Sequence, residues 1–64
     1  MDNPTPEEIR ELRTAYGLTQ AQFGEIVSAA RRTVEDWEAG RRNMPAPKFE
    51  LARLKLKRRP KKQP

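Results

Sequence analysis

Hydrophobic residues recur along this chain at the spacing of α-helices, and we find no strand pattern. Ile9, Leu12 and Tyr16 follow one another at steps of three and four residues, which places them on one face of a helix. Apolar residues never run more than two in succession, which is too short for a membrane span or a signal peptide. The pattern predicts an all-α fold of four helices.

The first helix has a clear beginning and a clear end. Thr5 is a suitable N-cap, with Pro6 at the first helical position and Glu8 three residues after the cap. Gly17 is a C-terminal stop. Thr19 then caps a second helix. The apolar face of that helix consists of Phe23, Ile26 and Val27.

The third helix follows a short break at residues 28–30. It is expected to run from Arg31 to Ala39 and to end at Gly40. Val34 and Trp37 are three residues apart and point inward together. We therefore expect Trp37 in the core rather than on a stacking surface.

A loop over residues 41–47, with two prolines, leads to a fourth helix over roughly 47–57. Its apolar residues include Phe49, Leu51, Ala52, Leu54 and Leu56. They spread around more than one face, so either all of them pack within one subunit or some remain for contact with a second copy. Prolines at positions 60 and 64 stop any helix beyond.

Two short helices joined by about three residues, with another helix ahead of them, form helix-turn-helix geometry. Such a pair lays its second helix in a DNA major groove about 12 Å wide while the first braces it. Gly24 supplies the small residue that the crossing of the two helices needs. The outward positions of the third helix are Arg31, Arg32, Glu35 and Asp36.

The stretch from Leu18 to Gly40, LTQAQFGEIVSAARRTVEDWEAG, resembles the Cro/CI-type (XRE-like) helix-turn-helix family of phage and bacterial regulators. The matching features are the L-T-Q opening, the small residue at Gly24 and the R-x-T-[VI]-x-x-W-E-x-G run of the third helix. The run as a whole is specific, whereas T-Q or W-E alone is not. The resemblance is close over these 23 residues and looser on either side.

The resemblance implies a lambda-repressor-like DNA-binding domain with four helices and at most the beginning of the fifth helix that the family often has. It implies that Gln20 contacts phosphate and that the start of the third helix reads bases. It also implies that Glu38 pairs with Arg13, which would tie the first helix to the third.

Several residues depart from the family pattern. Ser28 stands where Gly is most common, so the turn carries a residue less suited to a positive φ. Ala30 stands where Ser or Thr usually caps the third helix. Glu35 and Asp36 put two acids on the expected DNA face, where they repel phosphate, although Glu can accept a hydrogen bond from cytosine N4.

The net charge of +5 is unevenly distributed. Residues 1–50 hold seven basic and nine acidic residues, whereas residues 51–64 hold seven basic residues and no acid. A basic block of this kind either contacts a polyanion or serves only as a solvated tail. We expect a DNA-binding domain over 1–57, with the helix-turn-helix proper at 19–39, and a flexible basic tail over 58–64.

The candidate contacts fall into three groups. Base reading is assigned to Arg31, Arg32, Glu35 and Asp36. Phosphate contact is assigned to Gln20, Thr33, Arg41, Arg42 and Asn43. Tail contacts are assigned to Arg58, Arg59, Lys61 and Lys62. Alternatively, Arg41 and Arg42 are only solvated loop residues, and Asn43 serves only to form the turn.

The composition argues against catalysis. The chain has no Cys and no His, so the usual zinc ligands and the commonest general base are missing. We expect no cofactor, no metal, no small-molecule ligand and no membrane partner. The leading hypothesis is a repressor that binds an inverted-repeat DNA operator as a homodimer in the bacterial cytoplasm or nucleoid. The alternative is an antitoxin-type protein-interaction module that also binds DNA.

Overall fold

Four α-helices follow one another along residues 2–58, which are the residues that the structure, a computed structural model, describes. They are α1 (Pro6–Ala15), α2 (Gln20–Ile26), α3 (Arg31–Ala39) and α4 (Ala46–Leu56). No strand occurs within residues 2–58. The prediction of an all-α fold with four helices is therefore confirmed.

The first two helices begin with reciprocal capping boxes. The Thr5 hydroxyl accepts a hydrogen bond from the Glu8 amide at 3.1 Å, and the Glu8 carboxylate accepts one from the Thr5 amide at 2.8 Å. Thr19 and Gln22 repeat the arrangement at 3.1 and 2.9 Å. Both caps agree with the sequence prediction, and each satisfies amides that a helix start leaves without a partner.

The first three helices all end through a residue in the left-handed region. Gly17 follows α1 with a φ of 66°, Ser28 follows α2 with a φ of 57°, and Gly40 follows α3 with a φ of 79°. After α2 the chain turns back, and the Ala29 amide donates to the carbonyl oxygen of Gly24 at 2.8 Å. This Schellman-type ending fixes the direction in which the chain enters α3.

The core lies between the four helices. Its buried members are Ile9, Phe23, Val27, Val34, Trp37, Met44, Ala52 and Leu56. Trp37 belongs to this cluster, as the sequence predicts, whereas Met44 lies in the loop before α4 and carries no periodic pattern that would predict its burial. Burial of each large apolar side chain stabilises a fold by about 1.5–3 kcal/mol.

The fourth helix begins one residue earlier than the sequence predicts. Pro45 is its N-cap and has no side-chain acceptor, so Asn3 supplies one from the other end of the described chain. The Asn3 side-chain oxygen accepts a hydrogen bond from the Ala46 amide at 3.1 Å. Leu56 is buried, whereas Leu54 is 61% exposed and Leu51 is also exposed, so the apolar residues of α4 do divide between faces.

None of the helices within residues 2–58 has the length and apolar character needed to cross a bilayer. Of the basic residues assigned to the tail, Arg58 is described and exposed. Arg59, Lys61 and Lys62 lie outside the described residues.

Candidate nucleic-acid interface

The turn between α2 and α3 depends on Gly24. A Cβ atom at this position would clash with the backbone carbonyl oxygen of Ala29 and would lie 3.4 Å from a methyl group of Val34. The sequence predicts a small residue here because two helices cross. The tighter restriction, however, comes from the turn, whose carbonyl folds back over Gly24.

The beginning of α3 has no side-chain cap. Ala30 is the N-cap residue and makes no side-chain hydrogen bond, as expected from the missing Ser or Thr. A helix start leaves its first amides without intrahelical partners. Because the helix dipole also favours negative charge at this end, the start of α3 can accept an anion such as a phosphate.

Two arginines in the first turn of α3 are exposed, and each lies one helical turn from an acid. Arg31 Nε lies 3.1 Å from Glu35 Oε2. Arg32 Nε lies 3.5 Å from Asp36 Oδ1. Each pair joins residues four positions apart, the spacing at which side chains on a helix surface are neighbours.

The four residues assigned to base reading differ in exposure. The side chain of Arg32 is 80% exposed and that of Glu35 is 36% exposed, but that of Asp36 is only 14% exposed. The sequence pattern treats Asp36 as an outward position equal to the others. The structure encloses most of it, and Arg41 lies against it, with Nη1 at 3.2 Å from Asp36 Oδ1.

The residues assigned to phosphate contact lie in three parts of the chain. Arg41, Arg42 and Asn43 are exposed in the loop after α3, so the structure brings them next to the arginine-bearing helix. Gln20 is the first residue of α2 and is half-buried. Its side-chain nitrogen Nε2 donates a hydrogen bond to Glu38 Oε1 at 3.4 Å. Thr33 is half-buried in the first turn of α3.

An ion pair ties α1 to α3. Arg13 Nε donates to Glu38 Oε2 at 2.6 Å, and Arg13 Nη2 donates to Oε1 at 3.0 Å. This confirms the pairing that the family resemblance implies. Arg13 Nη1 also donates to the carbonyl oxygen of Leu18 at 2.9 Å, so one guanidinium fixes the chain just before α2 as well as α3.

Two lysines of α4 support the turn from the other side, and sequence reasoning missed both. Lys48 Nζ donates to the carbonyl oxygen of Val27 at 3.0 Å, and Lys55 Nζ donates to that of Ile26 at 2.9 Å. These carbonyls belong to the end of α2, where cations are favourable. The seven-residue spacing of the two lysines, which puts them on one face of a helix, is the only sequence signal that could have indicated them.

Comparison with known families agrees with this geometry. A family model described as helix-turn-helix matches residues 9–49 of the chain, a segment that contains most of α1, all of α2 and α3, and the beginning of α4. Comparison with curated proteins gives no match.

Proposed function

The chain belongs to the helix-turn-helix family of the XRE/Cro-CI type, a family of DNA-binding regulators, and from this membership we propose that it is a repressor that recognises a specific double-stranded DNA sequence. We further propose a phage or bacterial origin, action in the cytoplasm or nucleoid, and an inverted-repeat operator. The operon that encodes the protein is a natural target of such a small repressor.

The observation that carries the proposal is the exposure of Arg31 and Arg32 on a helix that is tied to α1. Both are exposed in the first turn of α3, and two hydrogen bonds between Arg13 and Glu38 join that helix to α1. A guanidinium can bond guanine O6 and N7 together in the major groove, a contact worth about 1–3 kcal/mol of discrimination. Because α3 is tied to α1, its arginines can reach the same base positions at every copy of the DNA site.

The remaining contacts divide between bases and the DNA backbone. Glu35 is proposed to read a base beside Arg31, as an acceptor for cytosine N4. The uncapped start of α3 is proposed to take a phosphate. The side chains proposed for further phosphate contact are Gln20, Thr33, Arg41, Arg42 and Asn43. Phosphate contacts of this kind set register and affinity without reading sequence.

We propose that two copies pair through the face that contains Leu54. A groove between α1 and α4 is lined by Leu12, Tyr16, Phe49 and Leu54, with Glu8 and Glu11 on the α1 side and Glu50, Arg53 and Lys57 on the α4 side. Glu50 pairs with Arg53 at 3.3 Å, so the α4 side has two basic residues against one acid. A two-fold axis parallel to this groove sets the acidic side of one copy against the basic side of the other. The patch is then self-complementary, as a two-fold interface requires.

The test of DNA reading is selection from random-sequence duplexes by the whole protein. We expect an inverted repeat whose half-sites are about 34 Å apart, one helical turn. Arg32→Ala is expected to reduce the difference between the affinity for selected DNA and the affinity for random DNA. Arg10→Ala, which removes the same charge from the exposed face of α1, is the control and is expected to preserve that difference in affinity.

Selection of no motif would overturn the proposal and favour the protein-interaction alternative. Native mass spectrometry of the DNA complex then tests the pairing. Two copies per operator are expected. A protein that is a monomer when free and pairs only on DNA would also agree with the proposal, whereas one copy per operator would refute the dimer.

A further inference from the structure

Asp36 lies within ion-pair distance of two arginines of the proposed DNA-facing surface. Its Oδ1 lies 3.5 Å from Arg32 Nε and 3.2 Å from Arg41 Nη1. Arg32 stands in the first turn of α3, whereas Arg41 follows the left-handed turn at Gly40. One carboxylate therefore joins an arginine proposed to read a base to an arginine proposed to contact phosphate.

The backbone holds Asp36 and its neighbours in this arrangement. The carbonyl oxygen of Asp36 accepts hydrogen bonds from the amides of Arg41 at 2.9 Å and of Arg42 at 3.3 Å. With only 14% of its side chain exposed, Asp36 has little surface with which to reach a base edge. It does have a fixed position from which to orient longer side chains.

We propose that Asp36 is a positioning residue that sets the sequence selectivity of Arg32, instead of contacting a base itself. The inference rests on the proposed DNA-binding function. The ion pair involves Nε of Arg32 and leaves Nη1 and Nη2 for guanine. A side chain oriented before binding loses less conformational freedom on binding, and functional groups need such support to hold a productive geometry.

The same carboxylate also lowers attraction to DNA in general. A negative charge between two arginines reduces the Coulomb attraction of this surface for any phosphate backbone. Removal of the charge is therefore expected to strengthen binding to random DNA while it loosens Arg32. Both effects lower the ratio of the affinity for selected DNA to the affinity for random DNA.

Glu35 provides a matched control on the same helix. It pairs with Arg31 alone, at 3.1 Å, through the same four-residue spacing. Glu35→Gln removes the same charge as Asp36→Asn. If Asp36 acts by position, the two variants affect different arginines.

The first measurement is the mobility of arginine Nε–H groups in the free protein, by nitrogen-15 relaxation. Asp36→Asn is expected to mobilise Arg32 and Arg41 but not Arg31. Glu35→Gln is expected to mobilise Arg31 only. Unchanged order of Arg32 in Asp36→Asn would overturn the proposal without reference to any DNA.

The second measurement repeats the DNA selection and titrates each variant on selected and random duplexes. Asp36→Asn is expected to lower the ratio of the two affinities about three- to tenfold, the effect of freeing one long side chain. The base preference is expected to fade at the position read by Arg32. Glu35→Gln is expected to retain the preference there and to change it only at the base that Glu35 itself is proposed to read. Should Asp36→Asn fail to fold, Asp36→Glu provides the test, because it keeps the charge and displaces the carboxylate by one methylene.

The outcomes separate the two proposals. A wild-type protein that selects a motif, together with an Asp36→Asn variant that selects the same motif with the same affinity ratio, overturns the role of Asp36 and leaves the DNA-binding function standing. An equal change in affinity for both DNAs also overturns it, because charge alone would explain that result. A wild-type protein that selects nothing overturns the proposed function, and the role of Asp36 in selectivity with it.

Discussion

Ser28 is the residue whose backbone conformation fits its side chain least. It adopts a φ of 57° in the turn before α3, where Gly17 and Gly40 hold the equivalent positions after α1 and α3. A left-handed conformation costs a residue with a Cβ about 1–2 kcal/mol. The turn that aims α3 is thus formed against a local preference of the chain, and the packing of Phe23 and Val34 has to compensate for it.

Ser28→Gly is expected to stabilise the protein. The strain is released, but the unfolded chain gains freedom, so we expect a net gain of about 0.5–1 kcal/mol in the free energy of unfolding. Urea denaturation followed by circular dichroism measures it. Ser28→Ala keeps the Cβ and is the control without gain; an equal gain in both variants would show that the conformation at residue 28 is not the cause.

At the scale of helices, α1 and α3 are joined by Arg13 and Glu38. The side chain of Glu38 is almost fully buried, and that of Arg13 is mostly buried. Removal of one partner from such a pair leaves a charge without compensation and typically costs about 3–5 kcal/mol. The pair is therefore a point at which one side chain can uncouple two helices.

Glu38→Gln is expected to lower the free energy of unfolding by several kcal/mol, whereas Glu35→Gln, on the exposed face of the same helix, is expected to cost about 0.5 kcal/mol or less. Denaturation of the two variants side by side provides the comparison. Replacement of both partners by apolar residues, Arg13→Met with Glu38→Leu, should recover much of the loss. A double variant as unstable as Glu38→Gln would mean that the pair stabilises the fold directly.

The helices themselves could be predicted because their signals are local. Thr5, Thr19 and Gly40 each act on a backbone within a few residues of themselves, so the sequence predicts the bounds of α3 correctly and those of α4 to within one residue. The inward positions of Val34 and Trp37 follow from spacing alone. These features depend little on how the chain folds as a whole.

The contacts that sequence reasoning missed join distant parts of the chain. Asn3 caps a helix 43 positions away, and Lys48 reaches a carbonyl 21 positions away. No periodicity indicates such partners. The contact between Asp36 and Arg41 was missed for a related reason, because it forms across the left-handed turn at Gly40.

At the scale of the whole molecule, the basic excess lies after residue 50, away from α3 in sequence. We propose that residues 58–64 act as a basic tail that contacts phosphates, while α3 reads bases. Removal of these residues is expected to weaken binding to selected and random DNA by similar factors. It should also flatten the salt dependence by roughly 0.9 in the log–log slope for each phosphate that the tail neutralises.

Binding titrations on both DNAs at several salt concentrations test this division. Arg10→Ala, which removes one exposed charge from α1, controls for net charge alone. If the truncated protein holds random DNA as before but no longer binds the selected site, the tail takes part in sequence recognition and the division is wrong.

The hydrogen bond between Asn3 and Ala46 has a consequence for the rates of folding and unfolding. It closes the longest loop among the side-chain hydrogen bonds of residues 2–58, and contacts between distant residues form late in folding, because loop closure must precede them. Asn3→Ala, which costs about 1 kcal/mol by removing the cap, is therefore expected to speed unfolding about fivefold and to leave refolding unchanged. Stopped-flow measurements separate the two rates, with Asn3→Asp, which keeps the acceptor, as the control. Slower refolding in Asn3→Ala would mean that residues 3 and 46 already meet in the transition state.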